Sequence, residues 1–285
     1  KVRGLLNIIT SVKKMQAYSE RVRRRGKTIS FVPTMGYLHD GHLRLLQEGR
    51  KRGDVLVMSI FVNPTQFGPK EDYAQYPRDM KRDLGYARRA GVDVVFAPKV
   101  DGMYPDGFQT SITVAEVTKT LCGPFRPGHF KGVATVVAKL FNIVKPHVAL
   151  FGEKDFQQLV VIRRMVRDVD MDIEIIGVPT VREKDGLAMS SRNKYLNGEE
   201  RRAALCLYRS LMKAKQLVQS GERDSKRILR EVHSIIKAEP LAKIEYVSLV
   251  DQKTMKEVRR IGKKALLAMA VRIGSTRLID NFCLP

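Results

Sequence analysis

The strongest constraint on the fold is an alternation that fills the first 180 or so residues, in which short β-branched runs separate stretches whose apolar residues recur at three and four. Strands that alternate with helices need crossover connections, and the arrangement that buries both is a parallel sheet covered by helices. The runs at 28–32, 55–62, 92–96, 147–151 and 173–178 predict five strands, and the segments 41–52, 76–90, 132–145 and 155–168 predict helices between them. Their crossovers should be right-handed. After Pro179 the texture changes: a polar loop runs to about 197, helices follow at 198–220 and 225–238, and further strands at 243–250 and 265–273. The expectation is a Rossmann-like, doubly wound α/β domain over 1–180 and a smaller α+β domain over 181–285, acting as a lid beyond a short hinge near Thr180.

With 44% hydrophobic and 29% charged residues, the chain has ample apolar surface to bury, which excludes a disordered or fibrous class. Its longest apolar stretches, such as 55–58 and 60–62, fall far short of the about 20 residues that a spanning helix needs. Residues 1–10 are basic and then apolar, but a charged segment follows and no small-residue cleavage site appears, so the reading is cytoplasmic sequence with no membrane partner. Cys122, Cys206 and Cys283 lie far apart with no Cys-x-x-Cys pair, which indicates neither a zinc ribbon nor a disulfide framework and suits a reducing compartment. A count of 52 Lys and Arg against 30 Asp and Glu leaves a formal charge of +22, which raises the question of a polyanionic partner. The basic groups at 21–27, 50–52, 163–164, 201–202, 226–227, 259–260 and 263–264 are scattered through amphipathic patterns, as solvated helix faces are; a nucleic-acid surface is the competing reading.

In an open parallel sheet, ligands bind beyond the carboxyl ends of the strands, so the polar segments leaving each strand are the candidates. The first is Pro33-Thr-Met-Gly-Tyr-Leu-His-Asp-Gly-His42, where His39 and His42 share one face of a starting helix and glycines allow close approach. Backbone amides and the positive helix end there favour phosphate. A metal pair would need further ligands, and five histidines with scattered cysteines offer no obvious set; a merely structural pair is the other alternative. The second strand exits into Asn63-Pro-Thr-Gln-Phe-Gly68, whose amides could orient a hydroxylated or carboxylated ligand. The fourth exits into Phe151-Gly-Glu-Lys-Asp-Phe-Gln-Gln158, placing Lys154 where it can neutralise phosphate and Asp155 where it can cap a helix. After the fifth, Asp185-Gly-Leu-Ala-Met-Ser-Ser-Arg-Asn193 combines two hydroxyls, an arginine and a flexible glycine in a loop that could close over polyphosphate, or be an ordinary surface turn.

Taken in this order, His39-Asp-Gly-His42 and Met189-Ser-Ser-Arg192 resemble the His-x-Gly-His and Lys-Met-Ser-Lys-Ser signatures of the nucleotidyltransferase superfamily; the second is degenerate, ending in arginine and lacking the first lysine. Longer strings narrow this. Pro33-Thr-Met-Gly, Ser59-Ile-Phe-Val-Asn-Pro-Thr-Gln-Phe67, Arg126-Pro-Gly-His-Phe130, Phe151 to Gln158 and Asp185 to Asn193 resemble the pantoate–β-alanine ligase family, over about 28–281. The resemblance implies an ATP-dependent condensation of pantoate with β-alanine through a pantoyl adenylate, giving pantothenate, AMP and pyrophosphate.

Carried over by motif, ATP would be held by Met35, Gly36, Tyr37, Leu38, His39, Asp40, Gly41 and His42, by Gly152, Glu153, Lys154 and Asp155, by Val181, and by Met189, Ser190, Ser191 and Arg192. His42, His39 and Lys154 would be catalytic. The family gives His42 as proton donor, although attack by a carboxylate obliges no proton transfer and a hydrogen-bonding, electrostatic role suits it better. Gln66 and Gln158 would grip pantoate, Gln66 would also face β-alanine, and Asn63 and Arg126 would assist. Mg2+ would bridge phosphate oxygens with Asp83 as its protein contact, although some relatives carry a second acidic residue where this chain has Arg82. Family members are commonly homodimers through the first domain, and no nucleic-acid partner is implied.

Overall fold

The computed structural model describes residues 6–69, 71–262 and 264–285; residues 1–5 of the basic start and Lys263 of the 263–264 pair lie outside the described residues. Along the chain come β1 (Asn7–Ile9), α1 (Val12–Arg24), β2 (Ile29–Thr34), α2 (Asp40–Arg50), β3 (Val55–Ile60), α3 (Met80–Ala90), β4 (Val94–Phe96), α4 (Val100–Met103), α5 (Cys122–Phe125), α6 (His129–Val144), β5 (Val148–Gly152), α7 (Phe156–Asp168) and β6 (Glu174–Val178). Then follow α8 (Gly198–Ala203), α9 (Leu205–Gln219), α10 (Ser225–Lys237), β7 (Ala242–Asp251), β8 (Ala265–Ile273) and β9 (Thr276–Leu284). The chain divides into two compact units, one of Lys1–Val114, Pro127–Glu153 and Val161–Pro179, the other of Ala115–Arg126, Lys154–Val160 and Thr180–Pro285.

The first unit is built on six parallel strands in the order β1-β4-β3-β2-β5-β6. This is the doubly wound α/β fold that the alternation predicts. From β2 the chain moves to β3 on one side and later arrives at β5 on the other, so the order reverses between β2 and β5, where such folds open a crevice at the strand ends. Successive side chains of a strand face opposite ways, and β2 shows the consequence. Val32 packs in the cluster that holds Leu45 and Leu46 of α2 with Leu150 of β5. Phe31, one residue earlier, meets Phe141 of α6 edge-on at 6.5 Å, and Phe141 meets Phe151 at 6.3 Å. Strands buried on both faces read as unbroken apolar runs, which is why β3 was legible. The edge strand β1, a sixth beyond the five expected, is three residues long and too short for any period.

Two helix starts differ from expectation for local reasons. Pro77 cannot donate a backbone N–H, and α3 begins only after Asp79, whose carboxylate caps it by accepting from Arg82 N at 3.0 Å. α6 begins three residues early, at His129, because Gly128 reaches a φ of 81° just before it.

The second unit has an antiparallel sheet in the order β7-β8-β9 covered by α9 and α10. Its core joins Leu207, Leu211, Ile228 and Val232 of the helices to Leu249, Leu267, Met269 and Leu278 of the strands. The single helix expected over 198–220 is two, because Leu207 N donates to Ala204 O at 3.2 Å in a tighter i to i+3 turn. β9 was not expected; its Arg277 and Asp280 count against a strand until their partners, Glu245 and Arg182, are seen. No described helix is long and apolar enough to cross a membrane.

Candidate active site

At the end of β2, Thr34 Oγ1 donates to Ser59 O at 2.7 Å and accepts from Gly36 N at 3.1 Å. Gly36 has a φ of 81°, and a Cβ there would lie 2.9 Å from Asp83 Oδ2, so glycine is required twice over. Tyr37 is also left-handed, with a φ of 50°. Its N–H donates to Asp83 Oδ2 and that of Leu38 to Asp83 Oδ1, each at 2.8 Å. Asp83, expected as a metal contact, is 1% exposed in α3 and gives both carboxylate oxygens to this turn. Burial raises its pKa, against the opposing pull of the Leu38 and Tyr37 amides and Arg82.

The turn leads into α2 through His39, the N-cap. His39 Nδ1 accepts from Gly41 N at 3.1 Å and His42 Nδ1 accepts from His39 N at 3.3 Å, a reciprocal capping box made of two imidazoles with ring centroids 4.1 Å apart. The pair therefore has a structural part at its Nδ1 atoms, fixing where α2 starts. A neutral ring whose Nδ1 accepts carries its proton on Nε2. Among the described residues, no group of three or more His, Cys, Asp or Glu side chains could hold a metal ion.

β3 exits into a turn over Pro64–Gln66 that Asn63 organises. Its Nδ2 donates to Gln66 Oε1 and to Gly132 O, both at 3.2 Å; its Oδ1 accepts from Thr65 Oγ1 at 3.0 Å and Tyr104 OH at 2.7 Å. Only 1% exposed and bonded through every polar atom, Asn63 is a buried brace and not the ligand-facing amide expected of it. Gln66 is thereby oriented, its Oε1 toward Asn63 and its Nε2 toward Met35 Sδ at 3.2 Å. His129, buried at the start of α6, holds Gln66 O through Nδ1 at 2.9 Å. Gly132 admits this contact, since a Cβ would lie 2.3 Å from Thr65 O. His129 and Tyr104 were not foreseen: the first stands in the Arg126 to Phe130 string but was not singled out there, and nothing around the second marks it.

In the second unit, Lys154 is half-buried in the turn after β5, and its ammonium makes no ion pair among the described residues. Asn281 Nδ2 donates to its carbonyl at 2.8 Å. The paired glutamines divide their duties. Gln157 is buried, accepts from Cys122 N at 3.0 Å and donates to Val117 O at 3.0 Å and Thr120 O at 2.8 Å, whereas Gln158 is half-buried and its side-chain amide makes no hydrogen bond with a described residue. Arg126 ends α5, its N–H donating to Cys122 O at 2.9 Å.

The 181–193 segment is a braced hairpin. Met189 N donates to Val181 O at 3.0 Å and Glu183 N to Leu187 O at 2.8 Å. Arg182 pairs with buried Asp280 through two bonds of 2.6 and 2.9 Å, and Glu183 accepts from Asn193 Nδ2 at 2.9 Å and Arg201 Nη2 at 2.7 Å. Gly186, expected as a flexible point, instead answers a packing demand: its φ is 97° and a Cβ would overlap the Tyr208 ring. Ser190 caps the short turn Ser191–Tyr195 by accepting from Arg192 N at 3.2 Å, which sets Ser190, Ser191 and Arg192 on one rigid bend.

The geometry alone does not name a ligand, and the match of the whole chain decides the family. Residues 7–283 fit the family model described as pantoate-beta-alanine ligase. The chain belongs to the pantoate-beta-alanine ligase family. It is an enzyme, a ligase that joins pantoate to β-alanine. Among its relatives, the pantothenate synthetase of Geobacter sulfurreducens is 60% identical over 97% of this chain and 98% of its own, and that of Syntrophus aciditrophicus 58% identical over 97% and 96%. The crystal structure of the Thermus thermophilus pantothenate synthetase is similar with a TM-score of 0.93, at 45% identity over 97% of this chain and 98% of that one. The Francisella tularensis pantoate-beta-alanine ligase, described as complexed with beta-gamma ATP and beta-alanine, matches with a TM-score of 0.81, at 34% identity over 98% and 97%.

Proposed function

We propose that the chain performs this ligation in two steps, with ATP first converting pantoate to pantoyl adenylate and β-alanine then displacing AMP. A carboxylate is a poor acyl donor because its leaving group is oxide; the adenylate leaves as stable AMP. In the first step a carboxylate oxygen attacks the α-phosphorus and pyrophosphate departs. In the second the amine attacks the acyl carbon, the amide forms, and a proton is released. The first step unites two anions, so fixed donors must offset their repulsion. The observation that carries this reading is the imidazole capping box at the start of α2, where the helix N-terminus favours phosphate.

In this proposal Met35, Gly36, Tyr37, Leu38, His39, Asp40, Gly41 and His42 receive the nucleotide, together with Gly152, Glu153, Lys154, Asp155, Val181, Met189, Ser190, Ser191 and Arg192. Lys154 supports the assignment as a cation with no ion pair among the described residues. His42 acts as a hydrogen-bonding stabiliser, because the attacking carboxylate has no proton to give. Gln66 and Gln158 take pantoate, Gln66 also faces β-alanine, Arg126 assists, and Asn63 acts through Gln66. Mg2+ would supply charge neutralisation at the phosphates, and Asp83, both of whose carboxylate oxygens accept backbone amides, would not hold it. The larger domain, 1–180, carries nucleotide and pantoate, and 181–285 serves as the lid; a cytoplasmic homodimer without nucleic-acid or membrane partners completes the reading.

The test is partial-reaction chemistry. Purified protein should release pyrophosphate from ATP only with pantoate, and AMP should accumulate once β-alanine is added; a requirement for tRNA instead would overturn the reading. His42→Ala and Lys154→Ala should each slow adenylation by about a hundredfold or more with the fold intact, as loss of a fixed donor to a developing anion does. Normal turnover in either would place the phosphate site elsewhere.

A further inference from the structure

The turn from Gly36 to Leu38 needs a brace, because a non-glycine residue at a φ of 50° is not held there by its own preference. One turn of α3 supplies two. Asp83 accepts the amides of Tyr37 and Leu38 at 2.8 Å each, and the neighbouring Arg82 guanidinium lies over the Tyr37 ring at 4.5 Å and the Tyr86 ring at 5.1 Å. Arg82 Nη1 is buried without a hydrogen-bond partner among the described residues, so the two aromatic faces are what receives this cation. Tyr37 is thus held at its main chain by one residue and at its ring by the next.

We propose that Asp83 and Arg82 are positioning residues for the phosphate-binding turn, holding Gly36 to Leu38 in the one conformation that delivers His39 and His42 to the nucleotide. The proposal rests on the reading that ATP phosphates are taken at Met35 to His42. The mechanical path is short. Leu38 is fully buried and His39 is the next residue, so the point at which α2 starts is set by the two amides that Asp83 holds. Gly36 has no room for a Cβ against Asp83 Oδ2, which makes the carboxylate and the glycine a matched pair. A carboxylate is the one small side chain that accepts two diverging N–H groups without offering a donor of its own. With both carboxylate oxygens given to the turn's amides and the neighbouring guanidinium stacked on two rings, the pair Arg82-Asp83 grips the turn from both sides of Tyr37.

The discriminating variant is Asp83→Asn, which keeps the shape and turns one acceptor into a donor facing an N–H. The KM for ATP should rise about tenfold or more, in line with losing one hydrogen bond to a charged group. The KM for β-alanine and the magnesium concentration for half-maximal rate should stay where they are. Arg82→Leu should raise the same KM about threefold, the size of a cation–π contact at a partly exposed site. Unchanged ATP KM in Asp83→Asn overturns the proposal. So does a deficit that excess magnesium erases, which would make Asp83 a metal ligand, or an equal loss for every substrate, which would make it merely structural. If Asp83→Asn fails to fold, Arg82→Leu decides through its effect on ATP KM alone. His42→Ala in the same assay separates the two levels: turnover there refutes the phosphate reading, whereas its loss beside a normal Asp83→Asn refutes only the positioning role.

Discussion

At the β2 exit two imidazoles cap a helix through their Nδ1 atoms, while Asn63 uses every polar side-chain atom on its own chain. Residue type and spacing marked both alike as candidates; only the hydrogen-bond partners show Asn63 to be a brace. His147 is a third case. Its Nδ1 accepts from Ile29 N at 2.9 Å, and burial, followed by the charge of Arg23, lowers its pKa from 6.5. The unfolded chain therefore protonates first as pH falls, so this residue's contribution is complete above 6.5 and is lost as pH drops from there through the folded pKa. Urea midpoints measured at about pH 8 and about pH 5 should fall toward acid in the native chain and fall less in His147→Asn, which keeps an acceptor that does not titrate. Equal slopes in the two proteins would show that His147 is not the group responsible.

Among the elements, the 181–193 segment differs most from what its composition suggested. Serines, a glycine and charges read as a mobile loop, and the chain instead ties the segment to β9 through Arg182 and Asp280 and to α8 through Glu183 and Arg201. Asp280 is 2% exposed, so leaving either partner alone is costly. Asp280→Ala should destabilise the second unit by about 3–5 kcal/mol, seen as a lower urea midpoint, whereas replacing both partners together by apolar residues should recover much of it. A single substitution that costs nothing would mean the pair is solvated. Helices α9 and α10 and strands β7 and β8 were legible because their apolar period is undisturbed. β9 was not, because its charges make sense only beside partners dozens of residues away.

Over the whole molecule, the formal charge of +22 acts on encounter more than on chemistry, since both ATP and pantoate are anions. α1 concentrates it, with Arg21, Arg23, Arg24 and Arg25 exposed at its end. Raising ionic strength from about 0.01 M to about 0.3 M should lower kcat/KM for ATP several-fold and leave kcat unchanged, because screening at such salt cuts the range of surface charge to below about 10 Å. A kcat/KM indifferent to salt would remove the charge from the account. What the amino-acid sequence determined alone is whatever a local period or a contiguous string can encode: parallel strands with crossover helices, the family, and the residue types gathered at each strand exit. What only the tertiary structure decided is the assignment of work among those residues. Asp83 to the Leu38 amide, Asn63 to Gly132, and Arg182 to Asp280 are contacts across 45, 69 and 98 positions of chain. A hydrogen bond has no period, so nothing local in the sequence announces which polar atom it will occupy.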